Sequence, residues 1–295
     1  MSATTTDRRP PLVVTDQLPQ MRGIVRNAQQ RGLRVGLVPT MGALHAGHQS
    51  LIQAARGECD LVVVSIFVNP AQFGPQEDFG RYPRNLETDL KLSAEAGADV
   101  VFHPAKETIY ASGYATYVDV TGVSEVLEGK FRPGHFRGVT TVVMKLFNII
   151  PADFAYFGQK DYQQQTIIRR MCTELNVPIE IRVCPTVREA DGLALSSRNV
   201  YLSSEERRSA LALSKSLHLA KDRLTSRRLD LPEIRAEMFE LLTKTPRVRV
   251  DYATLVHPET LVEVPEIIPK LVAVVSARVG TTRLIDNLII ETGNR

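Results

Sequence analysis

The sequence predicts an α/β fold with a doubly wound, mostly parallel, Rossmann-like sheet and a smaller C-terminal α+β domain. Short runs rich in Val, Ile and Phe alternate with longer amphipathic segments between residues 34 and 184, which is typical of parallel strands joined by crossover helices. The composition changes after Arg188, where charged helical segments precede three strand-like stretches. A length of 295 residues fits two domains, and we expect them to span residues 1–186 and 187–295.

The elements of the first domain follow from the spacing of apolar residues. The predicted strands are 35–38, 61–67, 100–102, 154–157 and 179–183, and the predicted helices are 48–56, 86–96, 139–150 and 161–175. Strand 61–67 is apolar almost throughout, as expected for a strand covered on both faces. Gly97 follows the second helix as a left-handed stop.

The second domain begins with two helices whose starts carry capping-box patterns, Ser203 with Glu206 and Asp230 with Glu233. Strands are predicted at 248–255, 271–279 and 284–290, separated by turns that contain Pro or Gly. Residues 2–11 are polar and lack the apolar core of a signal peptide, so we expect a loose leader.

Composition argues against several classes of protein. A formal charge of +3, with both signs interleaved, is weak support for a nucleic-acid partner. The apolar runs are shorter than the roughly 20 residues of a membrane span. Cys59, Cys172 and Cys184 are odd in number and lack paired or metal-ligand spacing, so we assign them no chemistry. We expect a cytoplasmic protein with small-molecule substrates and neither nucleic-acid nor membrane partners.

The strongest functional signal is the run PTMGALHAGH, residues 39–48, directly after the first predicted strand. Ligands of open parallel sheets bind at the carboxyl ends of strands, where a helix N-terminus offers N–H groups to phosphate. Gly47 is expected to let the backbone approach a nucleotide. His45 and His48 are three residues apart and should face one phosphate, to which an imidazolium can donate. A metal pair is the alternative, but no third ligand follows nearby.

An H-x-G-H run after the first strand is shared by the nucleotidyl-transferring α/β superfamily. The surrounding segments narrow this to a resemblance to the pantothenate synthetase (pantoate–β-alanine ligase) family. They are FVNP with QF at 67–73, FGQKDYQQ at 157–164, TVREADGLA at 186–194, LSSRN at 195–199 and GTTRLIDN at 280–287. The resemblance covers nearly the whole chain, and only the leader and residues 204–247 lack such segments.

Two of these segments suit adenylation on chemical grounds. Gly158 allows close backbone approach, Asp161 suits ribose hydroxyls and Lys160 supplies a charge for phosphate; a solvated lysine at a helix start is the alternative. In residues 196–198 two hydroxyls and a guanidinium suit a triphosphate and its departing pyrophosphate. The alternative there is a simple Ser-rich loop.

The resemblance implies specific roles. It assigns catalysis to His45, His48 and Lys160. It assigns pantoate binding to Gln72 and Gln164, and Gln72 is also expected to place β-alanine. ATP binding is implied for Met41, Gly42, Ala43, Leu44, His45, Ala46, Gly47, His48, Gly158, Gln159, Lys160, Asp161, Val187, Leu195, Ser196, Ser197 and Arg198. Phe67, Val142 and Val143 should cover the gem-dimethyl carbon of pantoate. For the two valines, a role in the hydrophobic core is nearly as well supported.

Several points stay open in the sequence. Arg132, His135 and Arg137 form a basic cluster that could receive the β-alanine carboxylate or order a lid. His103, His218 and His257 are expected to be structural or exposed. Ala46 and Ala71 depart from the family pattern, which expects an acidic residue and Met, but neither change alters the implied reaction.

The implied reaction is ATP-dependent condensation of pantoate with β-alanine through pantoyl adenylate, by a homodimer. Mg²⁺ is expected to bind mainly through ATP oxygens, and the sequence names no protein ligand for it. Two alternatives remain, namely another nucleotidylyltransferase of the superfamily and a nucleotide-binding protein without turnover.

Overall fold

The structure is a computed structural model that describes residues 11–75, 77–226 and 230–293. Its strands are β1 (Val13–Thr15), β2 (Val35–Thr40), β3 (Leu61–Ile66), β4 (Val100–Phe102), β5 (Phe154–Gly158), β6 (Glu180–Cys184), β7 (Val248–Val256), β8 (Lys270–Val279) and β9 (Thr282–Glu291). Its α-helices are α1 (Leu18–Gln30), α2 (Ala46–Glu58), α3 (Leu86–Ala96), α4 (Lys106–Ile109), α5 (Glu128–Phe131), α6 (His135–Ile149), α7 (Tyr162–Glu174), α8 (Ser204–Ser226) and α9 (Leu231–Thr243). Most of the predicted leader lies outside the described residues.

The first six strands form one parallel sheet in the order β1-β4-β3-β2-β5-β6. The chain runs outward from β2 through β3 to β4 and then returns to add β5 and β6 on the other side of β2. The strand order therefore reverses between β2 and β5, which is where open α/β sheets bind ligands. This confirms the doubly wound fold and brings the chain after Thr40 close to the chain after Gly158.

The predicted strands and helices of this sheet are confirmed, with ends that differ by a few residues. Strand β1 and helix α1 were not predicted, although Met21, Val25 and Ala28 occur at helical spacing and are the buried residues of α1. Helix α6 begins at His135, four residues before its predicted start. Gly97 is the left-handed C-cap of α3, with φ of 103°, as predicted.

The C-terminal sheet is antiparallel in the order β7-β8-β9, and α8 and α9 pack against it. Both predicted capping boxes form. Ser203 Oγ accepts from Glu206 N at 3.3 Å while Glu206 accepts from Ser203 N at 2.9 Å, and Asp230 and Glu233 are paired in the same way. The smaller α+β domain is therefore confirmed.

Strand β8 is buried on both faces. Because side chains alternate along a strand, Val272 and Val274 join the core of the parallel sheet, whereas Ala273 and Val275 join the core under α8 and α9. The antiparallel sheet is thus packed on the first domain, and this brings β9 next to the carboxyl end of β5. Among the described residues no helix combines the length and the apolarity that a bilayer crossing requires.

Candidate active site

The main cavity lies at the carboxyl ends of β2 and β5, with a volume of about 230 Å³. Most of the predicted site residues line it, namely Met41, His45, Gly47, His48, Gln72, Gly158, Lys160, Asp161, Gln164, Val187, Leu195, Ser196, Ser197 and Arg198. The cavity therefore brings together segments that are widely separated in the sequence. The predicted residues Gly42, Ala43, Leu44, Ala46 and Gln159 do not line it.

The turn before α2 is folded over Asp89 instead of facing the cavity. The Asp89 carboxylate accepts from Ala43 N at 3.0 Å and from Leu44 N at 2.7 Å, and the residue is 2% exposed. Gly42 and Ala43 both have positive φ, 81° and 51°, and a Cβ on Gly42 would lie 2.8 Å from Asp89 Oδ2. This buried carboxylate fixes where α2 and its histidines begin.

His45 is the N-cap of α2, and its Nδ1 accepts from Gly47 N at 3.1 Å. In the neutral ring the proton is then on Nε2. A Cβ on Gly47 would lie 2.9 Å from His45 Cε1, so a larger residue there would displace the His45 ring. The approach of a nucleotide to the backbone at Gly47 stays a prediction.

The two histidine rings are neighbours, as the spacing predicts, with centroids 4.2 Å apart. Burial, followed by the charge of Lys160, lowers the pKa of His45 to about 4. Burial, followed by the neighbouring His45 and Lys160, lowers the pKa of His48 to about 3. Both rings are therefore neutral at pH 7 in this structure, and the imidazolium donation to ATP phosphate stays a prediction.

His48 also carries an unpartnered polar atom. Its Nδ1 is buried and has no hydrogen-bond partner among the described residues. Burying such an atom without a partner costs free energy, and functional sites are where such atoms are tolerated. The atom is consistent with a ring whose partner arrives with the substrate.

Lys160 and Asp161 lie in a 3-10 turn, Gln159–Asp161, that follows β5. Gly158 has no atom within 4 Å of a hypothetical Cβ, so the backbone there is open to close approach. Gln159 points elsewhere, and its Nε2 lies 3.4 Å from Asn287 Oδ1. The turn therefore presents a cation and a carboxylate to the cavity and anchors its first residue to β9.

Residues 195–198 reach the cavity from the second half of the chain. Arg198 donates to both oxygens of Asp78, each at 2.8 Å. Burial alone raises the pKa of Asp78, but the hydrogen bond and charge of Arg198 outweigh it and lower that pKa. Tyr82 Oη lies 3.4 Å from Ser197 Oγ. The Asp78 carboxylate thus pairs with the guanidinium that was predicted to bind phosphate.

Gln72 is held by its neighbours at another part of the cavity. Its Nε2 donates to Met41 Sδ at 2.9 Å, and its Oε1 accepts from Asn69 Nδ2 at 3.0 Å. Phe67, Val142 and Val143 line the same cavity and also belong to the core of the parallel sheet. The two valines therefore serve as both core and cavity wall, because the same face of α6 borders both.

Only part of the predicted basic cluster of Arg132, His135 and Arg137 lies at the cavity. Arg132 and His135 line the cavity, whereas Arg137 lies outside it, with its guanidinium 4.1 Å from the centroid of the Tyr117 ring. Arg132 donates to both oxygens of Glu77, at 2.7 and 2.6 Å. Burial, followed by the Arg132 charge, lowers the pKa of His135 to about 4. The group is less cationic than its sequence indicates.

Sequence reasoning missed several residues near the cavity. Asn69 and Tyr82 line it, and Glu77 and Asp78 pair with its two arginines. Asn69 lies within a segment that carried the family resemblance, so its signal was available. The other three lie in a loop without periodicity, and Asp78 is 120 residues from its partner, so no local pattern marks them.

Known proteins are similar to this chain over almost its full length. Residues 13–289 match the family described as "Pantoate-beta-alanine ligase". A pantothenate synthetase of Moorella thermoacetica is 56% identical over 274 residues, which are 93% of this chain and 97% of that protein.

Solved structures agree in fold and sequence. A pantothenate synthetase of Thermus thermophilus superposes with a TM-score of 0.90 at 44% identity, covering 96% of this chain and 100% of that one. A pantoate-β-alanine ligase of Francisella tularensis, described as complexed with β-γ ATP and β-alanine, gives a TM-score of 0.76 at 34% identity, covering 94% and 97%. The cavity agrees with these similarities, because its lining includes His45 and His48, the turn that carries Lys160, and the amides of Gln72 and Gln164. The similarities establish that the chain is a ligase and belongs to the pantoate–β-alanine ligase family.

Proposed function

We propose that this chain condenses pantoate with β-alanine in an ATP-dependent reaction that proceeds through pantoyl adenylate and releases AMP and pyrophosphate. The observation that carries the proposal is the composition of the cavity. Its lining combines the cations Lys160 and Arg198, which can bind phosphate, with the amides of Gln72 and Gln164 and an apolar wall. Pantothenate is the precursor of coenzyme A, so the chain would act in that biosynthesis.

In the first step a pantoate carboxylate oxygen attacks the α-phosphorus of ATP. A P–O bond forms there as the bond to pyrophosphate breaks. The charge of Lys160 acts on His45 and lowers its pKa, and the His48 ring is adjacent to His45. Donors fixed around one point stabilise the charge that develops on phosphate oxygens. We assign this role to these three residues, with the histidines acting as neutral N–H donors that become more basic as the triphosphate approaches.

The remaining predicted ATP contacts form part of this proposal. Residues Val187 and Leu195 line the cavity beside Arg198, and Leu195 N donates to Val187 O at 3.0 Å, so the segment forms one wall for the nucleotide. Met41, Gly47, Gly158, Asp161, Ser196 and Ser197 line the same space. The predicted contacts that do not line it would contribute through positioning, namely Gly42, Ala43, Leu44, Ala46 and Gln159.

Gln72 and Gln164 are assigned to pantoate. An amide both donates and accepts, which suits a substrate with hydroxyl groups and a carboxylate. Phe67 and the two valines of α6 offer the apolar surface that a gem-dimethyl carbon requires. In the second step the β-alanine amine attacks the acyl carbon, its C–O bond to AMP breaks, and the amine loses a proton as the amide forms. Gln72 is proposed to place β-alanine for this attack.

Mg²⁺ is proposed to enter with ATP. Among the described residues no group of three or more His, Cys, Asp or Glu side chains is arranged to hold a metal ion, so a full protein cage does not fit. Mg²⁺ commonly keeps waters and substrate phosphates as ligands, so we assign it no protein ligand. The ion would neutralise charge on the triphosphate.

Three further points belong to the proposal. The domain boundary at residues 186/187 is supported by the end of β6 at Cys184 and the start of α8 at Ser204. A homodimer through an edge strand of the first domain is consistent with β1 and β6 ending the parallel sheet. A cytoplasmic location agrees with the need for ATP.

The proposed reaction is tested by supplying substrates in turn. Purified protein with ATP should form AMP and pantothenate only when pantoate and β-alanine are both present, at one AMP for each amide. Transfer of AMP to a phosphorylated acceptor would favour a nucleotidylyltransferase. Nucleotide binding without AMP release, in the presence of both substrates, would favour a binding protein.

A further inference from the structure

We name the 3-10 turn Gln159–Asp161 the Lys160 turn, and a residue of the second domain holds it in place. The 3-10 turn Gln159–Asp161 has no side-chain cap, and neither has the start of α7 that follows it. Local sequence therefore does not fix the turn. Asn287 on β9 does: its Nδ2 donates to Gln159 O at 2.9 Å and to Lys160 O at 2.8 Å.

Asn287 is itself rigidly held. It is 2% exposed, and its backbone N–H donates to Asp286 Oδ1 at 2.8 Å. Asp286, 4% exposed, accepts two hydrogen bonds from the Arg188 guanidinium, at 2.6 and 2.9 Å. A bidentate pair of this kind, with Asp286 buried and Arg188 partly exposed, has little freedom, so the amide of Asn287 is presented to the turn in one orientation.

Arg188, Asp286 and Asn287 form what we name the interdomain clamp. Arg188 also donates to Gly192 O at 3.1 Å and is bridged to Ala194. These bonds hold the segment that joins Val187 to Leu195, both of which line the cavity. The clamp therefore ties two cavity walls, the Lys160 turn and the 187–195 segment, to a single position on β9.

We propose that Asn287 is a positioning residue for the ligase reaction, which fixes the Lys160 turn and through it the Lys160 ammonium. The inference rests on the proposed function of Lys160 in adenylate formation. An amide is required at this position because both partners are carbonyl oxygens, which only accept. A small displacement of a charged group from its working geometry lowers the rate steeply, by as much as about 10²-fold for 1 Å.

The test uses Asn287→Asp, which keeps the shape but removes both donors, and Asn287→Ser, which avoids a new buried charge. The matched control is Asn148→Asp, where an exposed amide donates to Met144 O at 2.9 Å outside the cavity. We expect either Asn287 variant to lower the single-turnover rate of adenylate formation by about 10- to 100-fold, with a much smaller change in the KM for pantoate. The control should keep the wild-type rate.

A double-mutant cycle with Lys160→Ala separates positioning from general stability. If Asn287 acts through Lys160, its substitution costs much less than about tenfold once the ammonium is gone, because coupled residues are not additive. An equal loss in both backgrounds would overturn the proposal.

Hydrogen–deuterium exchange of the ligand-free protein supplies a readout that does not depend on activity. Peptides covering residues 158–163 should exchange faster in the Asn287 variants and at the wild-type rate in Asn148→Asp; unchanged exchange in the Asn287 variants would also overturn the proposal. A near-wild-type rate for Lys160→Ala alone would count against the proposed function of Lys160, whereas the exchange result still decides whether Asn287 holds the turn.

Discussion

Arg198 donates two hydrogen bonds to the carboxylate of Asp78, both 2.8 Å long. Carboxylate and phosphate oxygens match the same guanidinium fork, so Asp78 occupies the group that we assign to the triphosphate. Under the proposed role of Arg198, ATP competes with an internal anion, and the affinity for ATP depends on how easily Asp78 is displaced.

Asp78→Asn should tighten ATP binding, because an amide competes less well for the guanidinium than a carboxylate does. We expect the Kd for a non-hydrolysable ATP analogue to fall by about threefold to tenfold, measured by calorimetry at low salt. Glu77→Gln is the matched control, since Glu77 pairs with Arg132, which is not assigned to ATP. Unchanged or weaker binding by Asp78→Asn would show that the pair only orders its loop.

Isotope transfer tests the acyl-adenylate route. With ¹⁸O in the pantoate carboxylate, attack on the α-phosphorus leaves one labelled oxygen in AMP after amide formation. Mass spectrometry of the products detects it, and unlabelled pantoate in ¹⁸O-water serves as the control. Label in inorganic phosphate would require an acyl phosphate in place of the adenylate.

Gln164→Leu should weaken pantoate binding more than ATP binding, because the apolar isostere leaves substrate polar groups unpaired. The expected loss for pantoate is roughly 1–3 kcal/mol, measured as separate dissociation constants. Gln165→Leu, next along α7 but outside the cavity lining, controls for changes in the helix. Equal losses for both substrates would indicate a disturbed fold.

His48→Ala should slow adenylate formation by about 10²–10³-fold, as for loss of one transition-state donor, and leave much of the ATP affinity. The interaction strengthens as pyrophosphate departs, so the loss falls on the chemical step. Single-turnover measurements with saturating ATP and pantoate isolate that step. His218→Ala, at an exposed position, is the control. A near-wild-type rate would leave His48 with a structural role.

The lowered histidine pKa values predict how stability depends on pH. His45, His48 and His135 have folded-state pKa values of about 4, 3 and 4, below the unfolded value of about 6.5. Between about pH 6.5 and 5 the unfolded chain binds more protons than the folded chain at these sites. The contribution of these histidines to the free energy of unfolding should therefore be highest above about pH 6.5 and fall as the pH is lowered.

Urea unfolding across that range measures the effect. His48→Asn should take up about one proton fewer on unfolding at about pH 5 than the wild type does, which gives a shallower pH dependence. His218→Asn, at an exposed position, is the control for replacing a histidine by asparagine. If His48→Asn retains the wild-type pH dependence, His48 is not buried in the neutral form.

The sequence by itself determined the fold and the location of the proposed chemistry. The predominantly apolar run of β3 and the capping residues of α8 and α9 are local signals, since each depends on residues within one element. His45 and His48 also belong to one short segment at the end of β2, and the strand-to-helix order is enough to direct them to the ligand-binding edge of the sheet.

Only the tertiary structure decided the state and the surroundings of those groups. The histidines are neutral because burial and Lys160 lower their pKa values. Arg198 is paired with Asp78, and the Lys160 turn is fixed by Asn287. The pairing and the turn's anchor join residues more than a hundred positions apart. Desolvation and long-range hydrogen bonding depend on which segments meet in space, and the period of a local sequence pattern carries no information about that.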